Sequence, residues 1–234
     1  MRLLLTSNGL SNDSIAAAFQ ELVGKEPART KVAFIPTAAN TERGNKDWLI
    51  DDMYRIKEHG YVVDIVELNC STPQEVQEVL EASDVIFVGG GNTFFLSYCM
   101  RQAGLFETLP ELLKTRVYAG ISAGSMITGQ SLVLASQALK NEQAFQDEYY
   151  DEIGPSGRSA GESLKFVDLI FRPHLNSRFF TSVRKDILED KVRSLDLKYP
   201  VYALDDMSAL KIVGGNIDVV SEGEWLKIDP AGLK

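Results

Sequence analysis

The chain has 234 residues, of which 44% are hydrophobic and 24% charged, and this length suffices for one large domain with a substantial core. Its formal net charge of −9 argues against nucleic acids and anionic membranes as its main partners. Its two cysteines cannot make a disulfide framework, and no Cys/His cluster predicts a zinc site.

No apolar stretch approaches the ~20 residues of a membrane span. The apolar run at residues 3–5 is too short for a signal peptide, and no cleavage site follows it. We therefore expect a soluble, cytoplasmic protein that acts as a monomer or homodimer, with no metal, cofactor, nucleic acid or membrane among its requirements.

Strands and helices alternate through the first half of the chain. Thr41 is the predicted cap of one helix, and Thr72 and Glu75 have the capping-box spacing at the start of another. The predicted strands are residues 3–6, 31–36, 61–68, 84–88 and 117–121, and the helices lie between them. This alternation predicts a mostly parallel sheet covered by helices on both faces.

The alternation breaks after residue 128. Residues 141–162 are polar and acidic, which favours a loop or lid within a single domain spanning residues 1–234. Residues 164–171 are apolar and strand-like, residues 176–195 have a helical pattern, and residues 201–204 form a short strand. The last predicted elements form an antiparallel meander at residues 208–213, 217–220 and 224–228.

A Gly-x-Ser-x-Gly sequence follows the strand at 117–121 and precedes an apolar helix start. The motif is Gly120-Ile121-Ser122-Ala123-Gly124. Such a corner exposes a serine hydroxyl at the edge of a sheet, and its glycines allow neighbouring elements to pack closely. The spacing predicts Ser122 as a nucleophile, while the alternative is a tight turn in a Rossmann-like unit.

A serine nucleophile needs a base, and histidine suits neutral pH. The chain has two histidines. His59 stands at a predicted helix end, where a surface histidine is favoured by the helix dipole. His174 follows an apolar run at another predicted strand end, so we predict that it is the base.

An acid is needed to orient the imidazole. Asp205 and Asp206 follow the strand at 201–204 and are expected at the same edge of the sheet as the serine. We prefer the order Ser122, His174, Asp206 and keep Asp205 in reserve. The rival acids, which would give the order of the α/β-hydrolases, are Asp147, Asp151 and Asp168.

Two backbone N–H groups would have to face the oxyanion. Ala123, directly after the nucleophile, is predicted to supply one, and Gly91, in the loop after the strand at 84–88, the other. The rival interpretation of this glycine run is a phosphate cradle. However, the run lacks the Lys-Ser/Thr ending of a P-loop, and Phe94 stands where G-x-G-x-x-G requires glycine.

Three segments in this order resemble the peptidase E family of serine peptidases, which also includes cyanophycinases. They are residues 87–94 (FVGGGNTF), 120–125 (GISAGS) and 172–175 (RPHL). The resemblance extends from Leu4 to about Leu210. It implies an α/β fold like the class I glutamine amidotransferase domain, flavodoxin-like, with C-terminal antiparallel strands and a serine in place of that fold's cysteine.

The resemblance implies Ser122 as nucleophile, His174 as base, and Gly91 with Ala123 as oxyanion donors. The family's acid is usually a glutamate, and Asp206 occupies that position with a side chain one methylene shorter. Peptidase E proper cleaves dipeptides that begin with aspartate, whose carboxylate a basic residue holds. Arg178 roughly matches that residue, and Asn92 is a second candidate substrate ligand. A small-peptide serine hydrolase is the expectation, with a cyanophycinase-like or isopeptide hydrolase, or a non-catalytic relative, as alternatives.

Overall fold

The computed structural model describes residues 1–135 and 162–233. The strands within these ranges are β1 (Arg2–Thr6), β2 (Lys31–Ile35), β3 (Val62–Ile65), β4 (Val85–Val88), β5 (Val117–Ile121), β6 (Ile170–Arg172), β7 (Val201–Leu204), β8 (Ser208–Val213), β9 (Asn216–Ser221) and β10 (Trp225–Ile228). The predicted loop or lid at 141–162 lies, apart from residue 162, outside the described residues.

The helices are α1 (Asp13–Val23), α2 (Asp47–Glu58), α3 (Pro73–Ala82), α4 (Thr93–Gln102), α5 (Leu105–Leu112), α6 (Ala123–Met126) and α7 (Lys185–Ser194). Short 3-10 helices occupy Pro27–Arg29, Thr37–Thr41 and Pro230–Leu233. Nowhere in residues 1–135 and 162–233 is a helix both long and apolar enough to cross a membrane.

A seven-stranded sheet forms the centre of the fold, in the order β3-β2-β4-β5-β1-β8-β9. Neighbours among the first five strands are parallel, and β8 and β9 are antiparallel additions beyond β1. The mostly parallel sheet and the C-terminal antiparallel strands were both predicted from the sequence.

Both faces of this sheet are buried, which explains why its central strands are continuous apolar runs. In β1, Leu4 packs on one face with α1 and α2, while Leu3 and Leu5 pack on the other with α3, α4 and α5. Each fully buried side chain of this kind stabilises the fold by roughly 1.5–3 kcal/mol.

A second, three-stranded sheet has the order β10-β7-β6 and packs against α7. The strands β6 and β7 are parallel, so their carboxyl ends lie on the same side. This corrects the expectation that the strand at 201–204 belongs to the sheet that carries Ser122. The three strands of the predicted meander also belong to two different sheets, because β9 pairs with β8 whereas β10 pairs with β7.

Three local predictions need correction. Residues 164–169 are not strand, and β6 begins only at Ile170. The helix predicted at 176–195 begins only at Lys185. The residues before it form a non-helical loop, because the Arg184 guanidinium donates to the carbonyls of Ser177, Phe180 and Val183, at 3.0, 3.2 and 2.9 Å.

The predicted cap at Thr41 is also wrong. Thr41 ends a 3-10 helix, and α2 starts six residues later at Asp47. The N–H of Asp47 donates to the Asn45 side chain at 2.7 Å. By contrast, the capping box at the start of α3 is confirmed, with reciprocal bonds between Thr72 and Glu75. That motif is complete within four residues, so distant contacts do not change it.

Candidate active site

The corner between β5 and α6 carries Ser122 in a strained backbone conformation, with φ 48° and ψ −106°. A non-glycine residue in such a conformation persists only where its surroundings impose it. They do so through close packing, because a Cβ on Gly120 would lie 2.5 Å from the Gly124 carbonyl oxygen. A Cβ on Gly124 would lie 2.1 Å from the Val88 carbonyl oxygen. Both motif glycines are therefore required by close backbone approach, as the sequence predicted.

Hydrogen bonds fix this corner to the end of β1. The N–H of Ser122 donates to the Thr6 carbonyl at 3.0 Å. The Ser125 hydroxyl accepts from the Thr6 N–H at 2.9 Å and donates to the Thr6 carbonyl at 2.8 Å. The buried phenol of Tyr118 donates to the Gly124 carbonyl at 2.6 Å, and burial raises the pKa of that phenol. The nucleophile candidate thus stands on a rigid support.

His174 lies between Ser122 and Asp206. Its Nε2 is 3.0 Å from the Ser122 Oγ, and its Nδ1 is 2.6 Å from the Asp206 Oδ1. When Nδ1–H donates to the carboxylate, the lone pair of Nε2 faces the serine hydroxyl. The geometry is therefore that of a base directed at a nucleophile and oriented by an acid.

The two adjacent aspartates have different contacts. The carboxylate of Asp205 accepts from the N–H of Met207 at 3.0 Å and from the Ser208 hydroxyl at 2.6 Å, and it also accepts from the N–H of Glu224. Asp205 therefore shapes the turn after β7, and Asp206 is the one that reaches His174. The shorter aspartate side chain spans the distance.

Side chains and loops around His174 hold it in place. The Phe180 ring stacks on the imidazole, with centroids 4.3 Å apart and planes 8° from parallel. The Ser7 hydroxyl donates to the Leu204 carbonyl at 2.9 Å and accepts from the His174 N–H at 3.4 Å. Because Ser7 follows β1 and Leu204 ends β7, this contact joins the two sheets beside the site.

The glycine loop after β4 lies against the corner. A Cβ on Gly90 would be 3.4 Å from the Ser122 Cβ. Gly91 has φ 129°, and a Cβ there would meet the Ala38 carbonyl oxygen at 2.3 Å, so only glycine fits. Ala123 is the first residue of α6, and its N–H has no acceptor within that helix. Both predicted oxyanion donors are thus in the immediate surroundings of Ser122.

The structure does not bring Asn92 or Arg178 to the cavity beside Ser122. The buried Asn92 side chain accepts from the Phe95 N–H at 2.9 Å and so caps α4. Arg178 is exposed, with its guanidinium 4.6 Å from the centroid of the Phe179 ring.

Two of the alternative candidates, one for the base and one for the acid, also lie within the described residues. His59 is exposed at the end of α2, and Asp168 accepts from Gln130 at 2.9 Å. Asp147 and Asp151 lie outside the described residues.

A cavity of about 480 Å³ opens beside the nucleophile candidate. Sequence reasoning gave no role in the site to several of its lining residues, among them Ser7, Trp48, Asp52 and Phe180. Trp48 and Asp52 are four residues apart on α2 and therefore share one face of that helix. This spacing is the one signal that the sequence offered for them. Among the described residues, no group of three or more His, Cys, Asp or Glu side chains is placed to hold a metal ion.

Comparison with known proteins relates this chain to peptidases. The family description "Peptidase family S51" matches residues 3–220. An uncharacterised peptidase of Listeria monocytogenes is 26% identical over 92% of this chain and 96% of its own length. A peptidase E of Streptomyces coelicolor is 29% identical over 56% of this chain and 53% of its own length.

Two solved structures share the fold. One is a Listeria monocytogenes protein described as a candidate peptidase E, with a TM-score of 0.73 and 22% identity over 95% of this chain and 98% of that one. The other is a peptidase from an acI-B1 actinobacterium, with a TM-score of 0.64 and 17% identity over 97% and 93%.

Proposed function

The chain belongs to peptidase family S51 and is a serine-type peptidase, and we propose that it hydrolyses small peptides through an acyl-enzyme formed on Ser122. The observation that carries this proposal is the continuous contact from hydroxyl to imidazole to carboxylate, with distances of 3.0 and 2.6 Å. These lengths are within hydrogen-bonding range and so allow proton transfer without a rearrangement of the chain.

In the first step, the Ser122 oxygen bonds to the scissile carbonyl carbon as its proton passes to Nε2 of His174. The carbonyl electron pair moves onto oxygen, and the N–H groups of Gly91 and Ala123 are the proposed donors to that oxyanion. Asp206 stabilises the imidazolium that forms.

In the second step, the oxyanion collapses and the C–N bond breaks. The leaving amine takes the proton from Nε2. A water molecule then attacks the acyl carbon and gives a proton to Nε2, and the Ser122 oxygen leaves with that proton restored.

A preference for N-terminal aspartate is the finer expectation from the resemblance to peptidase E. Its expected carboxylate ligand, Arg178, does not line the cavity. Arg172 is the arginine among the described lining residues; it is 2% exposed and donates through Nη1 to the Leu134 carbonyl at 3.1 Å. Peptides that begin with aspartate therefore belong in the test panel on equal terms with neutral and basic ones.

Labelling with a fluorophosphonate tests the nucleophile. We expect covalent attachment at Ser122, found by peptide mapping, together with peptide hydrolysis that falls at least about 10⁴-fold in Ser122→Ala. Ser14→Ala, at an exposed serine of α1, is the control and should match the wild type. Hydrolysis that persists in Ser122→Ala would contradict the mechanism.

The alternatives give different results in the same assays. A cyanophycinase-like or isopeptide hydrolase would cleave β-aspartyl peptides in preference to α-aspartyl ones. A non-catalytic relative that binds a small anion at residues 89–92 would not be labelled at Ser122, and its ligand binding would survive Ser122→Ala.

A further inference from the structure

The cavity beside Ser122 is lined by more acidic than basic side chains. Its carboxylates are those of Glu42, Asp52 and Asp206, whereas Arg172 supplies the guanidinium among the described lining residues. Asp206 is engaged with His174. Asp52 has no role in the proposed hydrolysis, yet it lines the same cavity.

Asp52 is buried without a hydrogen bond. Its side chain is 4% exposed, and within residues 1–135 and 162–233 no hydrogen bond to its carboxylate is found. Its ion pair with Arg55 spans 3.9 Å, and the same Arg55 Nη1 donates to the Asn8 carbonyl at 2.9 Å. A buried carboxylate normally accepts several hydrogen bonds, so Asp52 keeps most of its acceptor capacity for another group.

Asp52 and Ser122 line the same cavity. A Cβ added to Gly9 would lie 3.2 Å from the Asp52 Oδ1 and also 3.2 Å from the Ile121 Cδ1. Ile121 directly precedes Ser122. One helical turn earlier on α2, the Trp48 ring lies 3.7 Å from where a Cβ on Gly90 would be. A substrate held against Trp48 with its carbonyl at Ser122 would therefore occupy the cavity that Asp52 also lines.

Burial raises the pKa of Asp52 to about 7, against the opposing effect of Arg55 and with a smaller contribution from Asp51. Neutral and ionised forms are thus both present near pH 7. A cation placed in the cavity would favour the ionised form and provide the partner that the carboxylate lacks.

We propose that Asp52 binds a cationic group of the peptide, an ammonium or a guanidinium, while Ser122 attacks the adjacent carbonyl. The inference rests on the proposed peptidase function and adds a substrate class to it. Two sources of the cation share this chemistry, the free α-amino group of the peptide and a lysine or arginine side chain.

Two matched substrate pairs distinguish these sources. The first compares a neutral peptide with a free N-terminus against its N-acetylated form, and the second compares N-acetylated peptides with lysine against norleucine at the residue that is acylated. We expect the wild type to prefer the charged member of at least one pair. Asp52→Asn should reduce that ratio of kcat/KM by roughly 10–100-fold, the magnitude of a charge-assisted hydrogen bond. The pair that responds identifies the source.

Asp51→Asn is the matched control, because it removes the neighbouring carboxylate at an exposed position of α2. It should retain the wild-type ratio. If Asp52→Asn leaves both ratios unchanged, or if Asp51→Asn reduces them equally, the inference is wrong.

Fluorophosphonate labelling of Ser122, measured in parallel, separates this inference from the proposed function. Labelling and Ser122-dependent hydrolysis with unchanged ratios would overturn only the role of Asp52. Absence of labelling and of Ser122-dependent hydrolysis would overturn the peptidase mechanism, and the inference with it.

Discussion

At the scale of single residues, ionisation of the Asp52 carboxyl group lowers the free energy of unfolding. An unfolded aspartate has a pKa of about 3.9, whereas in the folded protein burial raises the pKa of Asp52 to about 7. The folded state therefore binds more protons than the unfolded state between these two values. The free energy of unfolding consequently falls as pH rises through that window, by at most about 4 kcal/mol from this residue.

Asp52→Asn should remove this effect. We expect the variant to be more stable than the wild type, with a difference that is small at pH 4 and increases up to pH 8. Urea unfolding at several pH values measures it, and Asp51→Asn serves as the reference. A difference that does not change with pH would show that ionisation of Asp52 is not the cause. A carboxyl group whose pKa is raised by burial in a cavity is a candidate functional group.

The residue scale also shows what the sequence alone could not decide. Asp205 and Asp206 are adjacent, and although the sequence favoured Asp206, only the turn after β7 determines which carboxylate faces His174. Asp52 was missed because it follows Asp51 on a helix with a polar face, where two acids ordinarily indicate contact with solvent. Its carboxylate lies against the loop around Gly9, which is distant in sequence.

At the scale of elements, the corner between β5 and α6 depends on the absence of a side chain at residue 124. Gly124→Ala would place a Cβ 2.1 Å from a backbone oxygen of β4, which cannot move without disturbing the central sheet. We expect a loss of at least about 1–3 kcal/mol of stability, together with much slower labelling of Ser122 as the start of α6 shifts.

Gly232→Ala is the matched control, since a Cβ there meets nothing within 4 Å among the described residues. Thermal unfolding and the labelling rate report the two effects. Wild-type values for both in Gly124→Ala would contradict the account of the corner.

Elements defined by local signals were predicted well. The capping box of α3 and the buried strands of the parallel sheet depend on residues that are close in sequence. The start of α7 and the division between two sheets depend instead on Arg184 and on the pairing of β10 with β7, and neither is visible in a local pattern. The three motifs predicted Ser122, His174 and the glycine loop as parts of one site because each motif is a short segment, and the structure brings Ser122 and His174 into contact.

At the scale of the whole molecule, the net charge predicts electrostatic attraction of cationic peptides. The chain has a net charge of −9, and the cavity beside Ser122 is lined by carboxylates from several elements. Raising the ionic strength from low to physiological values shortens the Debye length to about 8 Å.

The value of kcat/KM should therefore fall several-fold with added salt for a basic peptide and rise for an acidic peptide of equal length. A neutral peptide is the control. An equal response of all three peptides would rule out electrostatic attraction by the protein as a whole.

The first strand lies between β5 and β8, and its last residue, Thr6, holds the amide of Ser122. A ribosome delivers Thr6 long before its partners at 117–121 and 208–213, and synthesis proceeds at about 5–20 residues per second. Although β1 precedes both of these strands in the chain, it is enclosed on both sides only once residues 208–213 have been made. Hydrolytic competence should consequently arise only after residues 208–213 have left the ribosome.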